Sequence, residues 1–328
     1  MENLPKLDLN VTNRCNFRCI HCAFDSGEKC MEDLPLSVIE KILIQTKELG
    51  GKRFDITGGE PLLREDVRDI IRIGKSLDYK IELVTNGSLI TEEKLKKFKQ
   101  LGLDAIAISL DGSNSEVYNS IRKQNEKTFY RVLKNIDLIK NYGFYTKINT
   151  TVFENNFSDI TNIVNLAERL KVDELGLYYF TPVGRGERTE AKSVEPIKWL
   201  SFVRKLKQES HNLKISFEIP LIEKEYYSQN LDCIANTEKS HLQILPNGET
   251  YPCAIMAFYQ KSLGNLREKS ISEVWNENNC SAYWNTIRDI FESCSGSCVN
   301  FSSFNITDYS KDYNFICPLR KFKLAGFK

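Results

Sequence analysis

Residues 15–22 have the sequence Cys-Asn-Phe-Arg-Cys-Ile-His-Cys, so that Cys15, Cys19 and Cys22 follow a CX3CX2C spacing. Three thiolates at this spacing can bind three corners of a 4Fe-4S cluster, which leaves one iron without a ligand from the motif. Iron–sulfur clusters normally take four cysteine ligands. Because no fourth partner stands next to the motif, the spacing predicts that something other than the chain completes the coordination.

A structural zinc site is the alternative explanation of this motif, since Cys-x2-Cys pairs also bind zinc. Zinc sites usually add a second pair of cysteine or histidine residues, which completes a tetrahedron. His21 is the histidine nearest in sequence, and it lies inside the motif. The sequence therefore favours an iron–sulfur cluster over zinc.

A glycine-rich acidic turn, Gly58-Gly59-Glu60-Pro61, follows the predicted strand at 53–57. Glycines allow backbone groups to approach a bound molecule closely, and Glu60 adds a negative charge that suits an ammonium group. Together with the cysteine motif, this turn resembles the radical SAM superfamily. The resemblance implies that S-adenosylmethionine is the fourth ligand of the cluster and that the turn binds its amino group.

Short β-type runs alternate with amphipathic helical segments between residues 6 and 180. The six predicted strands lie at 7–11, 53–57, 80–85, 105–110, 145–152 and 175–180. This alternation is typical of βα units around a parallel sheet, and it predicts an α/β fold. The resemblance specifies this fold as a partial (βα)6 TIM-like barrel with a C-terminal SPASM/twitch-like extension.

Polar residues follow the third and fourth predicted strands, at the end where parallel βα folds bind ligands. Asn86 follows the third strand, and Ser109 and Asp111 follow the fourth. By resemblance, Asn86 belongs to the cofactor site, while Ser109 and Asp111 lie near the ribose of the cofactor. A plain turn explains these segments about as well. Arg122 resembles an arginine that contacts the cofactor carboxylate, and a solvated helix charge is the alternative.

A second group of cysteines lies in the last third of the chain, at Cys233, Cys253, Cys280, Cys294, Cys298 and Cys317. Without an export signal, metal binding explains them better than disulfides do. They resemble in part the SPASM and twitch regions that hold auxiliary iron–sulfur clusters, although the CX2CX5 segment of a full SPASM region is missing. The resemblance implies one auxiliary cluster, of the 4Fe-4S type, held by Cys233, Cys253, Cys298 and either Cys294 or Cys317.

The remaining cysteines have no ligand role in this scheme. If Cys280, Cys30 or the leftover member of the Cys294/Cys317 pair is free and faces the cavity, it could donate a hydrogen atom to a substrate radical. A buried structural cysteine is the alternative for each of them. A zinc site or inert buried thiols are the alternatives for the whole C-terminal group.

The chain divides by composition into three parts. Turn formers and charges at 181–188 interrupt the alternation and predict the start of a linker. We predict a barrel domain at 1–190, a linker helix and strand at 191–230, and an auxiliary cluster domain at 231–328. Asn247-Gly248 between two β-type runs predicts a hairpin in the last part.

Charge and hydropathy exclude several classes of protein. The chain has 45 basic and 44 acidic residues, so its formal charge of +1 gives no overall attraction to nucleic acid or to a membrane surface. No apolar run approaches the roughly 20 residues that span a bilayer, and the first residues lack the features of a signal peptide. We expect a cytoplasmic protein.

The resemblance also implies a reaction, in which the cofactor is cleaved to a 5′-deoxyadenosyl radical that abstracts hydrogen from carbon. An external donor such as flavodoxin or ferredoxin would supply the electron. Enzymes with these extensions act mainly on peptides, so we predict a ribosomal peptide maturase that crosslinks, epimerises or oxidises its substrate. A radical SAM enzyme acting on a small metabolite, such as a tetrapyrrole or a sugar, is the alternative. A zinc-bearing binding protein without catalysis is the third hypothesis.

Two further features narrow the peptide hypothesis. Sulfatase maturases of this superfamily carry a carboxylate directly after the second auxiliary cysteine, where this chain has Ala254, which argues against sulfatase maturation. The cysteine motif begins at residue 15, which leaves no room before it for a leader-recognition domain. We expect a leader peptide, if the substrate has one, to be bound elsewhere or by a separate protein.

Overall fold

Parallel strands and helices alternate along the first two thirds of the chain in the computed structural model. The structure describes residues 6–27, 32–218, 221–223, 241–252, 257, 262–276 and 313–315. The cysteines at 30, 233, 253, 280, 294, 298 and 317, together with Ala254, lie outside these residues. Their predicted roles therefore stay predictions.

The strands are β1 (Lys6–Asn10), β2 (Arg53–Thr57), β3 (Lys80–Thr85), β4 (Ala105–Ser109), β5 (Tyr145–Val152), β6 (Glu174–Tyr179), β7 (Lys214–Phe217), β8 (Leu221–Glu223), β9 (His241–Ile244), β10 (Glu249–Tyr251), β11 (Gly264–Asn265) and β12 (Tyr313–Phe315). The helices are α1 (Leu36–Glu48), α2 (Val67–Ser76), α3 (Glu92–Leu101), α4 (Ser115–Arg122), α5 (Glu126–Asn141), α6 (Glu154–Phe157), α7 (Ile160–Arg169), α8 (Pro196–Gln208) and α9 (Ile271–Val274). Single 3-10 turns lie at Pro61–Leu63 and Gly186–Arg188.

Strands β1 to β6 lie side by side in chain order, and each neighbouring pair is parallel. All six were predicted from the sequence, so the α/β fold with a six-stranded βα barrel is confirmed. A helix follows each of the first five strands, as the right-handed βα connection of parallel sheets requires.

The sheet continues beyond the six barrel strands at both edges. Strand β7 lies in the stretch that was predicted as a linker helix and strand, and it pairs in parallel with β6. Strand β9 pairs in parallel with β1, and β10 and β11 follow it in antiparallel order. The predicted hairpin is the β9–β10 pair. The region after the barrel is thus hydrogen-bonded to the first strand of the barrel.

One face of the sheet is apolar and packs against the helices. Successive side chains of a strand point to opposite faces, and the set that includes Leu7, Leu9 and Phe54 is fully buried. These residues belong to the same hydrophobic cluster as Ile39 of α1 and Ile70 of α2. The helices therefore cover the outer side of the barrel.

The other face carries charged side chains near the amino ends of the strands. Lys6 Nζ lies 2.8 Å from both Asp8 and Asp55, and Lys147 and Lys214 approach Glu174 at 3.6 and 2.8 Å. Burial alone would raise the pKa of Glu174, but the hydrogen bond from Lys214 and the charge of Lys147 lower it to about 2. Ion pairs therefore occupy the inner face at the end of the barrel opposite the cysteine motif.

None of the helices in the described residues is long and apolar enough to cross a membrane.

A substitution at Gly74 can test how closely α2 packs against the outer face of the sheet. A Cβ atom at this position of α2 would lie 2.6 Å from the Phe54 ring and 2.8 Å from Ile81. Gly→Ala inside a helix normally stabilises a protein by about 1 kcal/mol, whereas overpacking a core costs about 1–3 kcal/mol. We expect Gly74→Ala to lower the free energy of unfolding by up to about 2 kcal/mol in urea titrations.

Arg72→Ala is the matched control, because its side chain on the same helix is 59% exposed. It should change the free energy of unfolding by less than about 0.5 kcal/mol. A Gly74→Ala variant that is more stable than the wild type would contradict this packing.

Candidate active site

The cysteine motif lies in the segment between β1 and α1, at the carboxyl end of the barrel strands. We call residues 13–27 the cluster loop. Its three cysteines line one cavity of about 420 Å³. Other residues of the predicted site that line the same cavity are Gly58, Gly59, Asn86, Ser109 and Arg122. The structure thus brings together residues that follow four different strands.

Each of the three sulfur atoms accepts a hydrogen bond from the protein. The backbone N–H of Phe17 donates to Cys15 Sγ at 3.4 Å, and that of Ser26 donates to Cys22 Sγ at 3.3 Å. Arg122 donates to Cys19 Sγ at 3.7 Å. Donors of this kind stabilise thiolate sulfur and influence the reduction potential of iron–sulfur clusters.

Burial raises the pKa of the Cys15 thiol to about 12 and that of Cys19 to about 11. The protein alone therefore keeps these groups protonated at neutral pH. Thiolates bind metals, and metal binding releases the thiol proton. Iron would supply the further positive charge that favours the thiolate form of both ligands.

The three cysteines that line this cavity are its candidate ligands for a metal group. No group of three or more His, Cys, Asp or Glu side chains in the described ranges is arranged to hold one metal ion. All three cysteines are nevertheless free thiols on one cavity wall. Three free thiols on one cavity wall fit the three protein ligands that the motif would give to an iron–sulfur cluster.

The glycine turn packs directly against the start of the cluster loop. Gly59 N–H donates to the carbonyl of Thr12 at 2.7 Å, and Glu60 N–H donates to that of Arg14 at 2.8 Å. A Cβ at Gly58, where φ is +145°, would lie 2.4 Å from the Thr12 carbonyl, and one at Gly59 would lie 2.2 Å from that of Arg14. Only glycine allows this approach, which leaves the turn exposed to the cavity.

The Glu60 side chain is fully buried behind this turn. One carboxylate oxygen accepts hydrogen bonds from Thr85 Oγ1 at 2.6 Å and Leu62 N–H at 3.1 Å, and the other accepts from Asn86 N–H at 2.8 Å. Burial raises its pKa. Glu60 and Pro61 do not line the cavity, so Glu60 fixes the turn to the end of β3, and its predicted contact with the cofactor ammonium stays untested.

Asn86 and Ser109 lie on the cavity wall, as the sequence predicted. The Asn86 amide donates to Asn16 Oδ1 at 2.9 Å, and its oxygen accepts from Ser88. Asn86 therefore ties the end of β3 to the cluster loop. Ser109 presents its side chain from the end of β4.

Asp111 lies behind the cavity wall, and its predicted position near the cofactor ribose stays untested. Its side chain is fully buried and does not line the cavity. One oxygen accepts from Thr151 N–H at 2.9 Å, and the other lies 2.6 Å from Arg122 Nε. Asp111 thus holds Arg122, because a buried guanidinium needs a paired charge.

Arg122 links this buried pair to the cluster loop. Burial opposes its charge, but Asp111 and Cys19 raise its pKa, so the guanidinium stays charged. It faces the cavity while it pairs with Asp111 and donates to Cys19. The alternative of a solvated helix charge is wrong, because Arg122 is only 7% exposed.

Sequence reasoning missed several residues of the cavity wall. Asn149 and Thr151 reach it from β5, and Tyr178, Phe180 and Glu218 lie on the side of β6 and β7. The one available signal was their position at the carboxyl ends of predicted strands. No motif marks them, because their role depends on which strand face turns inward.

The buried Asp111–Arg122 pair can be tested against an exposed pair of the same type. Asp111→Asn removes the charge that compensates Arg122, so we expect the free energy of unfolding of the iron-free protein to fall by about 3–5 kcal/mol in urea titrations. Asp69→Asn is the control, because Asp69 and Arg72 are 47% and 59% exposed, and it should cost less than about 1 kcal/mol. Equal effects of the two variants would contradict the account of Asp111.

Comparison with known proteins gives matches over both parts of the chain. The model of the radical SAM superfamily matches residues 9–167, and that of the SPASM iron–sulfur cluster-binding domain matches residues 233–299. An AdoMet-dependent heme synthase of Methanosarcina barkeri is 27% identical over 298 residues, which cover 84% of this chain and 83% of the relative.

Solved structures share the fold at low sequence identity. Streptococcus suis SuiB bound to S-adenosylmethionine superposes with a TM-score of 0.72 and 19% identity, over 86% of this chain and 68% of SuiB. The structure of anSMEcpe with bound AdoMet and the Cp18Cys peptide gives a TM-score of 0.65 at 19% identity, over 85% and 82% of the two chains.

The two domains imply a 4Fe-4S cluster with S-adenosylmethionine at the barrel and auxiliary iron–sulfur binding in the C-terminal region. The three cysteines, the glycine turn and Arg122 fit the first of these groups, since they share one cavity at the carboxyl ends of the strands. The chain therefore belongs to the radical SAM superfamily and is an S-adenosylmethionine-dependent iron–sulfur enzyme with a C-terminal SPASM domain.

Proposed function

We propose that this enzyme modifies a peptide and acts as a ribosomal peptide maturase that crosslinks, epimerises or oxidises its substrate. The cofactors would supply a 5′-deoxyadenosyl radical, which is the hydrogen-abstracting species. The protein contributes the binding, the orientation and the exclusion of side reactions. A flavodoxin or ferredoxin is the proposed electron donor, and we propose a cytoplasmic location.

The cavity wall carries few charges that could bind an anionic substrate, and this observation supports the proposal most directly. Among the described lining residues, Arg122 provides the only guanidinium or ammonium group. Its charge is compensated by Asp111, and the resemblance assigns it to the cofactor carboxylate. Burial lowers the pKa of His21 to about 4, so its imidazole is neutral at pH 7.

The side of the cavity away from the glycine turn is mainly apolar and aromatic. Phe24, Tyr178, Phe180 and Val183 line it, and Glu218 lies at the end of β7. Such a wall suits an uncharged peptide segment, because apolar side chains gain from burial next to aromatic rings and polar lining residues such as Asn149 and Thr151 could hydrogen-bond the peptide backbone. A tetrapyrrole with several carboxylates would need cationic partners there.

The solved relatives give independent support for a peptide. SuiB has been crystallised with its precursor peptide SuiA, and anSMEcpe with the Cp18Cys peptide. Both are statements about those proteins, and the identity to this chain is only 19% in each case. They are the reason to choose a peptide as the first substrate class to test.

A small-metabolite substrate is the second candidate, and one observation favours it. The heme synthase of Methanosarcina barkeri matches most of the chain at 27% identity. A tetrapyrrole substrate would then require cationic residues that the described cavity wall does not supply.

In the auxiliary domain, we propose Cys233, Cys253, Cys298 and either Cys294 or Cys317 as ligands of one 4Fe-4S cluster. The SPASM match spans the first three of these and Cys294, and it ends before Cys317. Cys280 remains the candidate hydrogen donor. We also retain the proposed division into 1–190, 191–230 and 231–328.

Hydrogen transfer can distinguish the two substrate classes. The reconstituted enzyme is incubated anaerobically with reductant, S-adenosylmethionine and deuterium-labelled peptides encoded by short reading frames beside its gene. We expect deuterium to appear in 5′-deoxyadenosine together with a mass or stereochemical change in the peptide. Transfer only from a labelled tetrapyrrole or sugar, and from no peptide, would establish the second candidate instead.

The N-terminal cluster assignment is tested separately from the substrate. We expect replacement of Cys15, Cys19 and Cys22 by Ala to abolish 5′-deoxyadenosine formation, because no thiolates remain for the cluster, while iron in the C-terminal region is retained. Product is measured by chromatography and iron by a colorimetric assay. Cys30→Ala is the control and should retain the iron of the N-terminal cluster. Cofactor cleavage by the triple variant would refute the assignment.

A further inference from the structure

The segment after β6 contacts the cluster loop along much of its length. Its sequence, from Thr181 to Arg188, predicted the start of a linker, and it lies between the two family matches at 9–167 and 233–299. We call residues 184–189 the clasp. Its contacts go to the backbone of the loop that carries Cys19 and Cys22.

The Arg185 guanidinium makes three hydrogen bonds with the cluster loop. Its nitrogens donate to the carbonyl of Cys19 at 2.9 Å, to the carbonyl of Ser26 at 2.5 Å and to Asp25 Oδ1 at 2.7 Å. The side chain is only 13% exposed. One planar group therefore joins both ends of the stretch that contains Cys22, and the fixed fork of arginine suits several acceptors at once.

Backbone contacts of the clasp reach the carbonyls between these ends. Arg185 N–H donates to the carbonyl of Cys22 at 3.0 Å, and Thr189 Oγ1 donates to that of Ile20 at 3.1 Å. Gly184 has φ of +60°, and a Cβ there would lie 1.8 Å from the Ala23 carbonyl. The clasp can lie this close only because residue 184 is glycine.

The cluster loop needs such support, because no helix or strand fixes Cys19 and Cys22. Ordering a backbone residue costs about 1–2 kcal/mol, and ligands that are held in place before metal binding avoid this cost. Arg122 donates to the Cys19 sulfur, whereas Arg185 donates to the Cys19 carbonyl. The two arginines thus hold different groups of the same ligand residue.

We infer that Arg185 is a positioning residue for the N-terminal iron–sulfur cluster, and that the clasp sets the separation of the Cys19 and Cys22 thiolates. This role concerns cluster retention and is independent of which substrate the enzyme modifies. It assigns a function to a segment that neither family match covers. Outer partners of metal ligands typically contribute 10–100-fold to metal affinity.

The test compares reconstituted holoenzymes of the wild type, Arg185→Gln, Arg185→Lys and Arg188→Gln under anaerobic treatment with an iron chelator. Loss of the N-terminal cluster is followed by the electron paramagnetic resonance signal of the reduced protein that shifts when S-adenosylmethionine is added. The signal of the auxiliary iron is the internal control. Neither readout requires substrate turnover.

We expect Arg185→Gln to lose the N-terminal cluster at least about tenfold faster than the wild type, while the auxiliary signal decays at the wild-type rate. Arg185→Lys should be similarly impaired, because one ammonium group cannot replace the fork that reaches three acceptors. Arg188 also pairs with Asp25 but is 65% exposed, so Arg188→Gln should stay within about twofold of the wild type.

Three results would overturn the inference. In the first, Arg185→Gln loses the N-terminal cluster at the wild-type rate. In the second, Arg185→Lys retains that cluster as well as the wild type does. In the third, Arg185→Gln and Arg188→Gln lose it equally fast. If Arg185→Gln does not fold, Thr189→Val tests the same clasp through the carbonyl of Ile20. That variant should lose the N-terminal cluster faster than the wild type, and an unchanged rate would equally refute the clasp.

Discussion

Three cysteine thiols must share one cavity although the loop that carries them forms no helix and no strand. Strand β1 ends at Asn10 and α1 begins at Leu36, and the thiols lie between them. The loop is held instead by neighbours from distant parts of the chain. The glycine turn donates to carbonyls at the start of the loop, and Arg122 donates to the Cys19 sulfur. The segment after β6 donates to the carbonyls around Cys22. The carboxyl ends of the parallel strands bring these neighbours together.

The buried carboxylates behind the cavity wall hold neighbouring segments together, and Arg122 is the only lining residue with a guanidinium or ammonium group in the described part of the chain. Glu60 uses both carboxylate oxygens to join the glycine turn to β3, and Asp111 pairs with Arg122 behind the wall. Burying either group without partners would cost several kcal/mol. The cavity wall therefore presents backbone groups, amides, hydroxyls and aromatic rings together with Arg122 and Glu218.

The periodic parts of the fold were predictable because they depend on local pattern. The six barrel strands and the helix at Pro196–Gln208 lie where alternation and helical spacing placed them. A strand was also predicted within the linker stretch, and the structure adds that the strand at 214–217 pairs with β6 and that the preceding turn packs on the cluster loop. In the sequence, the glycines and charged residues of that turn are typical of a solvent-exposed connection. The close approach of Gly184 to the Ala23 carbonyl joins two segments that lie near opposite ends of the barrel sequence.

By itself, the sequence indicated the family and the class of the enzyme and predicted the cluster ligands, because the CX3CX2C spacing and the glycine turn extend over a few residues. It also predicted that Asn86 and Ser109 lie close to the motif, since strand ends meet at one edge of a parallel sheet, whereas Arg122, at the end of α4, was placed there by resemblance. Only the tertiary structure decided which polar groups face the cavity and which support it. Asp111 and Glu60 make their hydrogen bonds behind the wall, and Arg185 donates to carbonyls of the cluster loop. Those roles depend on contacts between residues far apart in the chain, which no local pattern records.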